Sequence, residues 1–295
     1  MHKTFDVIVI GAGPGGYIAA IRAAQLGMNV ACIDEWKNAN GGPAPGGTCT
    51  NVGCIPSKAL LQSSEHFDQA NHHFAEHGIS AKDVKMDVAK MLARKDTVVK
   101  QNNDGILYLF KKNKVTFFHG RGSFASKSDA GYEVKVSGAS EESLVAKQII
   151  VATGSSARAL PGVAFDEQNI LSNDGALRLG AVPKKLALIG SGVIGLEMGS
   201  VWHRLGAEVT ILEGLPTFLV AVDEQIAKEA KKIFTSKASI FNSASKSATS
   251  TTAKKVSMSI TPTPKASSKS GRLTNSLSAS DACPTPQALI QKRLD

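Results

Sequence analysis

Cys49 and Cys54 stand five positions apart in the segment Gly46-Gly47-Thr48-Cys49-Thr50-Asn51-Val52-Gly53-Cys54-Ile55-Pro56-Ser57-Lys58, and two thiols so placed point to reversible dithiol/disulfide exchange. In a regular α-helix, Cα atoms five positions apart lie roughly 8 Å from each other, beyond the ~7 Å reach of an unstrained disulfide. The bond therefore needs a distorted backbone, and Gly47 and Gly53 supply the freedom for one. A strained disulfide is the more easily reduced kind, which suits a redox partner. Two other uses of a cysteine pair stand beside this one. A persistent structural disulfide fits poorly with the intracellular character of the chain. A zinc site needs two further ligands, and the remaining cysteines are Cys32, in an apolar strand-like run, and Cys283, in a Pro/Ser-rich stretch. His73 and His77, four apart, lack a supporting acid or cysteine pattern and read as surface helix residues, so no metal is expected.

The elements that would position the pair lie on both sides of it. Phe5-Asp6-Val7-Ile8-Val9-Ile10 reads as a buried strand, followed by Gly11-Ala12-Gly13-Pro14-Gly15-Gly16, a helix over 17–26 and a strand over 30–33 that ends at Asp34. A strand, a G-x-G-x-x-G turn, a helix, a strand and an acid about 20 residues after the glycines make the dinucleotide fingerprint. Gly11 allows the tight turn, Gly13 lets the backbone approach a pyrophosphate and Gly16 lets helix pack on strand. Pro14 and Gly15 complete the turn at a helix N-terminus that faces the phosphates. The pattern then recurs. Lys185-Leu186-Ala187-Leu188-Ile189 leads into Gly190-Ser191-Gly192-Val193-Ile194-Gly195, a helix over 196–205 and a strand over 208–212 ending at Glu213. Two fingerprints imply two dinucleotides, and a redox pair between them implies an electron path; the bland alternative for the second copy is a purely structural βαβ unit. Glu213 stands where an acid accepts hydrogen bonds from a ribose 2′-OH and repels a 2′-phosphate, which selects NAD over NADP.

With these motifs in place, the chain from about residue 4 to about residue 232 resembles the pyridine nucleotide–disulfide oxidoreductase family of flavoproteins, most closely its dihydrolipoamide-oxidising members. The resemblance implies FAD at the first fingerprint and NAD at the second. It makes Cys49 the interchange thiol and puts Cys54 against the flavin, with Gly47 and Thr48 in the same FAD-binding loop. Lys58 resembles the lysine beside the reactive flavin nitrogen, where a cation stabilises the anionic reduced ring, and Glu197 resembles its ion-pair partner. Ile149-Ile150-Val151-Ala152-Thr153-Gly154-Ser155 looks like the family's strand and turn that closes on the flavin, with Thr153, Gly154 and Ser155 as contacts, and Gly122, in the turn Gly120-Arg121-Gly122, resembles a backbone contact to FAD. The implied reaction is dihydrolipoamide plus NAD⁺ giving lipoamide plus NADH, with the hard chemistry carried by the flavin. Neighbouring members reduce other disulfides or mercuric ion. The implied partners are protein-bound dihydrolipoamide, components of a 2-oxoacid dehydrogenase or glycine-cleavage complex, and a second copy in a homodimer.

Composition bounds the rest. The chain carries a formal net charge of +9, but residues 235–295 hold nine Lys/Arg against two Asp/Glu, so the patterned body is nearly neutral and has no basic stripe for nucleic acid. No N-terminal signal pattern and no long apolar run are seen, so a cytoplasmic protein without membrane attachment is expected. The fold class expected is α/β, with two doubly wound dinucleotide-binding domains: 1–155 for FAD, with a helical excursion from Ser57 to about Lys112 and short strands from Val115 to Val151, and 156–234 for NAD, incomplete. Residues 235–295 form a Ser/Thr/Lys-rich tail, read as a solvated disordered segment or as translation out of the ancestral frame near Phe234. The family's interface domain, with its catalytic His-Glu pair, is not visible, and all seven histidines lie upstream of where it would stand. Two functions follow as expectations: an NAD-dependent flavoenzyme, or a truncated remnant that binds nucleotide without turnover. A half-finished second domain is also expected to lower stability and favour aggregation.

Overall fold

The structure, a computed structural model, describes residues 3–138, 141–214, 218–236, 241–243 and 275–278. These fall into two units: Met1–Pro56 with Asp96–Ser156, and Ser57–Lys95 with Ala157–Cys283. Ser57–Lys95, read from the sequence as an excursion of the first domain, thus groups with the second unit.

In the first unit, β1 (Lys3–Ile10), β2 (Val30–Asp34), β3 (Thr116–Ser128), β4 (Gly131–Gly138) and β5 (Glu142–Val151) close on one another in sequence order. β1 pairs in parallel with β2 and with β5, and β2 pairs in parallel with the first residues of β3. β3 and β5 then run on to pair with β4 in antiparallel fashion, with an irregularity between Phe124 and Ser126. β1 reads Val-Ile-Val-Ile without alternation because both its faces are covered. Ile8 and Ile10 join one buried cluster with Ile33, Phe118 and Val134, whereas Val7 and Val9 join another with Ala20, Ala23, Ile106 and Phe110. The second cluster lies under α1 (Pro14–Gln25) and α4 (Val88–Lys112).

The strands expected to be short are long, and Gly120-Arg121-Gly122, expected to be a turn, lies inside β3. The reason is close approach rather than chain reversal: a Cβ on Gly120 would stand 2.7 Å from the Ser137 carbonyl oxygen of β4. Glycine serves both purposes, and only the fold tells them apart.

The second unit has a parallel sheet in the order β6-β10-β7-β8-β9, from β6 (Ile170–Leu171), β10 (Asn275–Ser278), β7 (Lys185–Ile189), β8 (Glu208–Glu213) and β9 (Phe241–Ser243). β9 and β10 come from the stretch read as a tail, whose remaining residues lie outside the described ones apart from Thr235 and Ser236 at the end of α7 (Glu224–Ser236). α6 (Val193–Arg204) crosses from β7 to β8 and buries Leu196, Met198, Val201 and Trp202. A Cβ on Gly199 would meet Leu188 Cδ1 at 2.9 Å, so that glycine lets helix and sheet close up.

α3 (Cys54–His72) runs on from the first unit, and from Ser57 it belongs to the second. Arg204 donates to the Leu61 carbonyl at 3.4 Å, Arg94 to the Ala59 carbonyl at 3.1 Å, and the buried Lys95 ammonium to the Leu177 carbonyl at 3.2 Å. These bonds give Ser57–Lys95 its place in that unit.

Candidate active site

The two fingerprint turns have the same hydrogen-bond skeleton. Gly11 N–H donates to the Ile33 carbonyl at 2.7 Å, and Gly190 N–H to the Leu212 carbonyl at 2.8 Å. Both glycines take a left-handed φ, +102° and +103°. Gly13 and Gly192 are extended N-caps of α1 and α6, with φ −68° and −70°. Neither helix has an acid in its first turn, so the partial positive charge of the open N–H groups is left for an anion. Pro14, Gly15 and Val193 at these helix starts are exposed, Ile194 is half-buried, and Gly16 and Gly195 are buried against their sheets.

The acids at the strand ends hold the turns. Asp34 accepts from Ala12 N–H at 2.6 Å and from Trp36 N–H at 2.9 Å. Glu213 accepts from both the N–H and the hydroxyl of Ser191, each at 2.8 Å. From the sequence, Glu213 is expected to meet a ribose and Asp34 to complete the fingerprint; the turn N–H from which each accepts was not foreseen. The signal was available, since each acid stands 22 residues after the residue it grips. Burial pushes the Asp34 carboxyl above its ordinary value, against the pull of the Ala12 and Trp36 N–H groups.

In the first unit the redox segment packs on the first turn. α2 (Gly47–Val52) begins where Gly47, at φ +59°, faces Gly13, and a Cβ there would stand 2.7 Å from Gly13 Cα. Gly46 N–H donates to the Ala12 carbonyl at 2.8 Å. The turn after β5 closes the same corner: Ala152 N–H donates to the Ile10 carbonyl at 2.8 Å, and Thr48 Oγ1 donates to the Ser155 carbonyl at 3.2 Å. Gly154 takes φ +77°, Thr153 is exposed, and a Cβ on Gly11 would overlap the Ala152 carbonyl oxygen. Gly122 lies over Ile10 and Ile33, with a notional Cβ at 3.1 Å from Ile10 Cγ2. Three segments thus meet at one corner through close backbone approaches and the Thr48 hydroxyl.

Cys49 is half-buried on α2, and Cys54 is exposed as the first residue of α3. Gly53 between them is the C-cap of α2, at φ −140° and ψ −117°, so the helix breaks between the two cysteines. A Cβ on Gly53 would stand 2.9 Å from the Thr48 carbonyl oxygen, which keeps the break tight. In the second unit, Lys58 donates to Glu197 Oε1, joining α3 to α6. The Lys58 side chain is 61% exposed, so this ion pair contributes little to stability and its value lies in orienting the ammonium.

Asn51 and Asn103 were not singled out from the sequence. Asn51 Nδ2 donates to the Ala44 and Gly47 carbonyls at 2.9 and 3.0 Å, and Asn103 Nδ2 donates to the Pro45 carbonyl at 2.7 Å and to Asn51 Oδ1 at 3.0 Å.

Cys32 is fully buried, its Sγ 3.9 Å from the Gly11 carbonyl oxygen, and burial drives its thiol pKa far up. It has no thiolate to offer at neutral pH. Iodoacetamide on the native reduced chain should therefore alkylate Cys54 and then Cys49, and reach Cys32 only after denaturation. Peptide mass spectrometry follows each site separately, and early labelling of Cys32 would contradict the burial described. Among the described residues, no group of three or more His, Cys, Asp or Glu side chains is placed to hold a metal ion, and no helix is long and apolar enough to cross a membrane.

Twin nucleotide turns with a dithiol segment packed on the first define a class of flavin-linked disulfide oxidoreductase. The chain belongs to the pyridine nucleotide-disulphide oxidoreductase family, whose sequence profile matches residues 5–264. It is 59% identical over 237 residues to a dihydrolipoyl dehydrogenase of Cupriavidus necator, covering 80% of this chain and 49% of that protein. It is 48% identical over 227 residues to a leghemoglobin reductase of Vigna unguiculata, covering 77% and 42%. Among solved structures it is similar to LpdA of Mycobacterium tuberculosis, with a TM-score of 0.71, 26% identity, and coverage of 82% of this chain and 51% of that one. The chain spans about half the length of the curated relatives it matches. FAD and NAD are the cofactors of this family, and the two bare-backbone turns fit them: each offers helix N–H groups, lacks a Cβ at its closest approach and has a carboxylate at the strand end.

Proposed function

We propose that this chain is the nucleotide-binding part of a dihydrolipoyl dehydrogenase that oxidises dihydrolipoamide with NAD⁺. The observation that carries the reading is the helix break at Gly53, which separates Cys49 from Cys54 in a segment packed on the Gly11–Gly16 turn. The pair in its disulfide form accepts two electrons from the substrate dithiol: one S–S bond forms in lipoamide, and the Cys49–Cys54 bond opens to two thiols. Cys49, on the half-buried helix, is the thiol that exchanges with substrate, and Cys54 takes the electrons onward. FAD, when bound at the first turn, supplies the two-electron carrier between this dithiol and NAD⁺. The role of a cation that stabilises a reduced flavin falls to Lys58, held by Glu197. Glu213, at the end of β8, disfavours a 2′-phosphate and so favours NAD over NADP. Partners on this reading are dihydrolipoyl groups borne by a 2-oxoacid dehydrogenase or glycine-cleavage complex and a second copy of the chain, in the cytoplasm.

The test is an absorption spectrum of the purified chain before and after dihydrolipoamide and NAD⁺. The expected result is a yellow protein that the dithiol bleaches and that forms NADH over repeated cycles. A colourless protein, or a yellow one that never forms NADH, would overturn the reading and leave a nucleotide-binding fold without turnover.

A further inference from the structure

α2 has six residues and so closes only a few i→i−4 bonds, Thr50 N–H to the Gly46 carbonyl at 3.3 Å among them, which hold it less firmly than those of a longer helix. Something outside it must fix where Cys49 sits. The approach to α2 is buried from Ala44 through Gly47 and turns at Gly46 with φ +129°, so its carbonyls are cut off from water. Two side-chain amides take them: Asn51 holds the Ala44 and Gly47 carbonyls, and Asn103 holds the Pro45 carbonyl and Asn51 Oδ1. Asn103 is only 6% exposed and belongs to α4, 52 residues beyond Asn51. One buried amide on another helix therefore grips the Cys49 segment on both sides, at Pro45 before it and at Asn51 after it. Cys54 begins the next helix beyond the Gly53 break, so the separation of the two sulfurs follows the position of α2.

We propose that Asn103 is a positioning residue for the thiol pair, setting the dithiol–disulfide equilibrium of Cys49 and Cys54 through Pro45 and Asn51. The proposal rests on the reading of that pair as redox-active. Leucine at 103 has similar bulk and no donor, so the segment loses this anchor while the Gly46 N–H bond to Ala12 and the Thr48 bond to Ser155 stay. Threonine retains one hydroxyl donor.

The experiment equilibrates the full chain with glutathione at varied [GSH]²/[GSSG], quenches with acid, alkylates, and reads the pair by peptide mass spectrometry. In each exchange the two thiols form one S–S bond and one oxidised glutathione is cleaved to two thiols, so electrons and protons balance. The expected result is a midpoint shifted about threefold or more for Asn103→Leu and by less for Asn103→Thr. Ile106→Val, which loosens the same helix in its buried core without touching the carbonyls, should leave the midpoint unchanged. A folded Asn103→Leu chain with the parent's midpoint overturns the proposal, as does an equal shift in Ile106→Val. Should Asn103→Leu fail to fold, an unshifted Asn103→Thr overturns it instead. A parent that forms no Cys49–Cys54 disulfide at any ratio refutes the redox reading and the positioning role together, whereas a parent that titrates beside unshifted variants refutes the positioning role alone.

Discussion

Gly11→Ala will lower the unfolding free energy of the first unit by about 3 kcal/mol or more and release the bound flavin. Two costs combine. An L side chain at φ +102° is strained, by roughly 1–3 kcal/mol at such positions. The added Cβ also overlaps the Ala152 carbonyl oxygen, a backbone atom fixed by the β1–β5 pairing that no rotamer change can move, and overpacking of this kind costs about 1–3 kcal/mol. Against a net domain stability of about 5–15 kcal/mol, the loss is large. Gly27→Ala is the matched control: its φ is +89°, yet no atom lies within 4 Å of the notional Cβ, so it incurs the strain alone. Urea denaturation followed by circular dichroism and flavin fluorescence separates the two. Equal losses for both variants would mean that the Gly11–Ala152 approach is looser than described.

On the proposed function, Cys49→Ser will cut dihydrolipoamide-dependent NADH formation by about a thousandfold or more, because a hydroxyl cannot form the disulfide through which electrons would leave the substrate. Flavin content should stay at the parent level, since serine is of nearly the same size as cysteine and leaves the approach of Gly47 to Gly13 unchanged. Dye reduction by NADH, which needs the nucleotide turns and not the thiols, should also persist. Stopped-flow mixing with dithiol and then with NAD⁺ reads both halves. A variant that retains a tenth of the parent's dithiol-driven rate would show that the electrons take another route.

Much of this site could be read in the chain because its signals are local. Each turn sits in a run of about 30 residues with its strand, glycines, helix and acid in fixed order, and the cysteines announce themselves by type. What escaped was non-local. Asn103 lies in the polar run Asn102-Asn103-Asp104-Gly105 of the expected helical excursion, and its partners Pro45 and Asn51 come from a loop and a short helix far back in the chain. Gly120 and Gly122 read as a turn because a glycine that admits a neighbouring strand has the same spelling as one that reverses the chain. Asn275–Ser278 has no apolar period, yet its backbone is placed in parallel between β6 and β7, and pairing at that sequence distance leaves no mark on composition.

The closing of β1 to β5 upon one another bears on solubility. Among the described residues of the first unit, the strand backbone has a neighbour on both sides at Val7–Ile10 of β1, Ala31–Ile33 of β2, Tyr132–Val136 of β4 and Leu144–Ala146 of β5, so there an incoming extended chain finds little to template on. Gln148–Val151 of β5 is paired only with β1, and β3 is paired on one side only along its length, with β2 over Thr116–His119 and, in its far half, with β4 over Gly120–Ser128. That half carries the irregularity at Phe124/Ser126 and the charge of Lys127, two devices that twist or repel a stacking partner. Among the described residues, Gln148–Val151 of β5 and, in the second unit, β6 and β9 are one-sided stretches without such devices, and any seeding of aggregates by this chain should begin there.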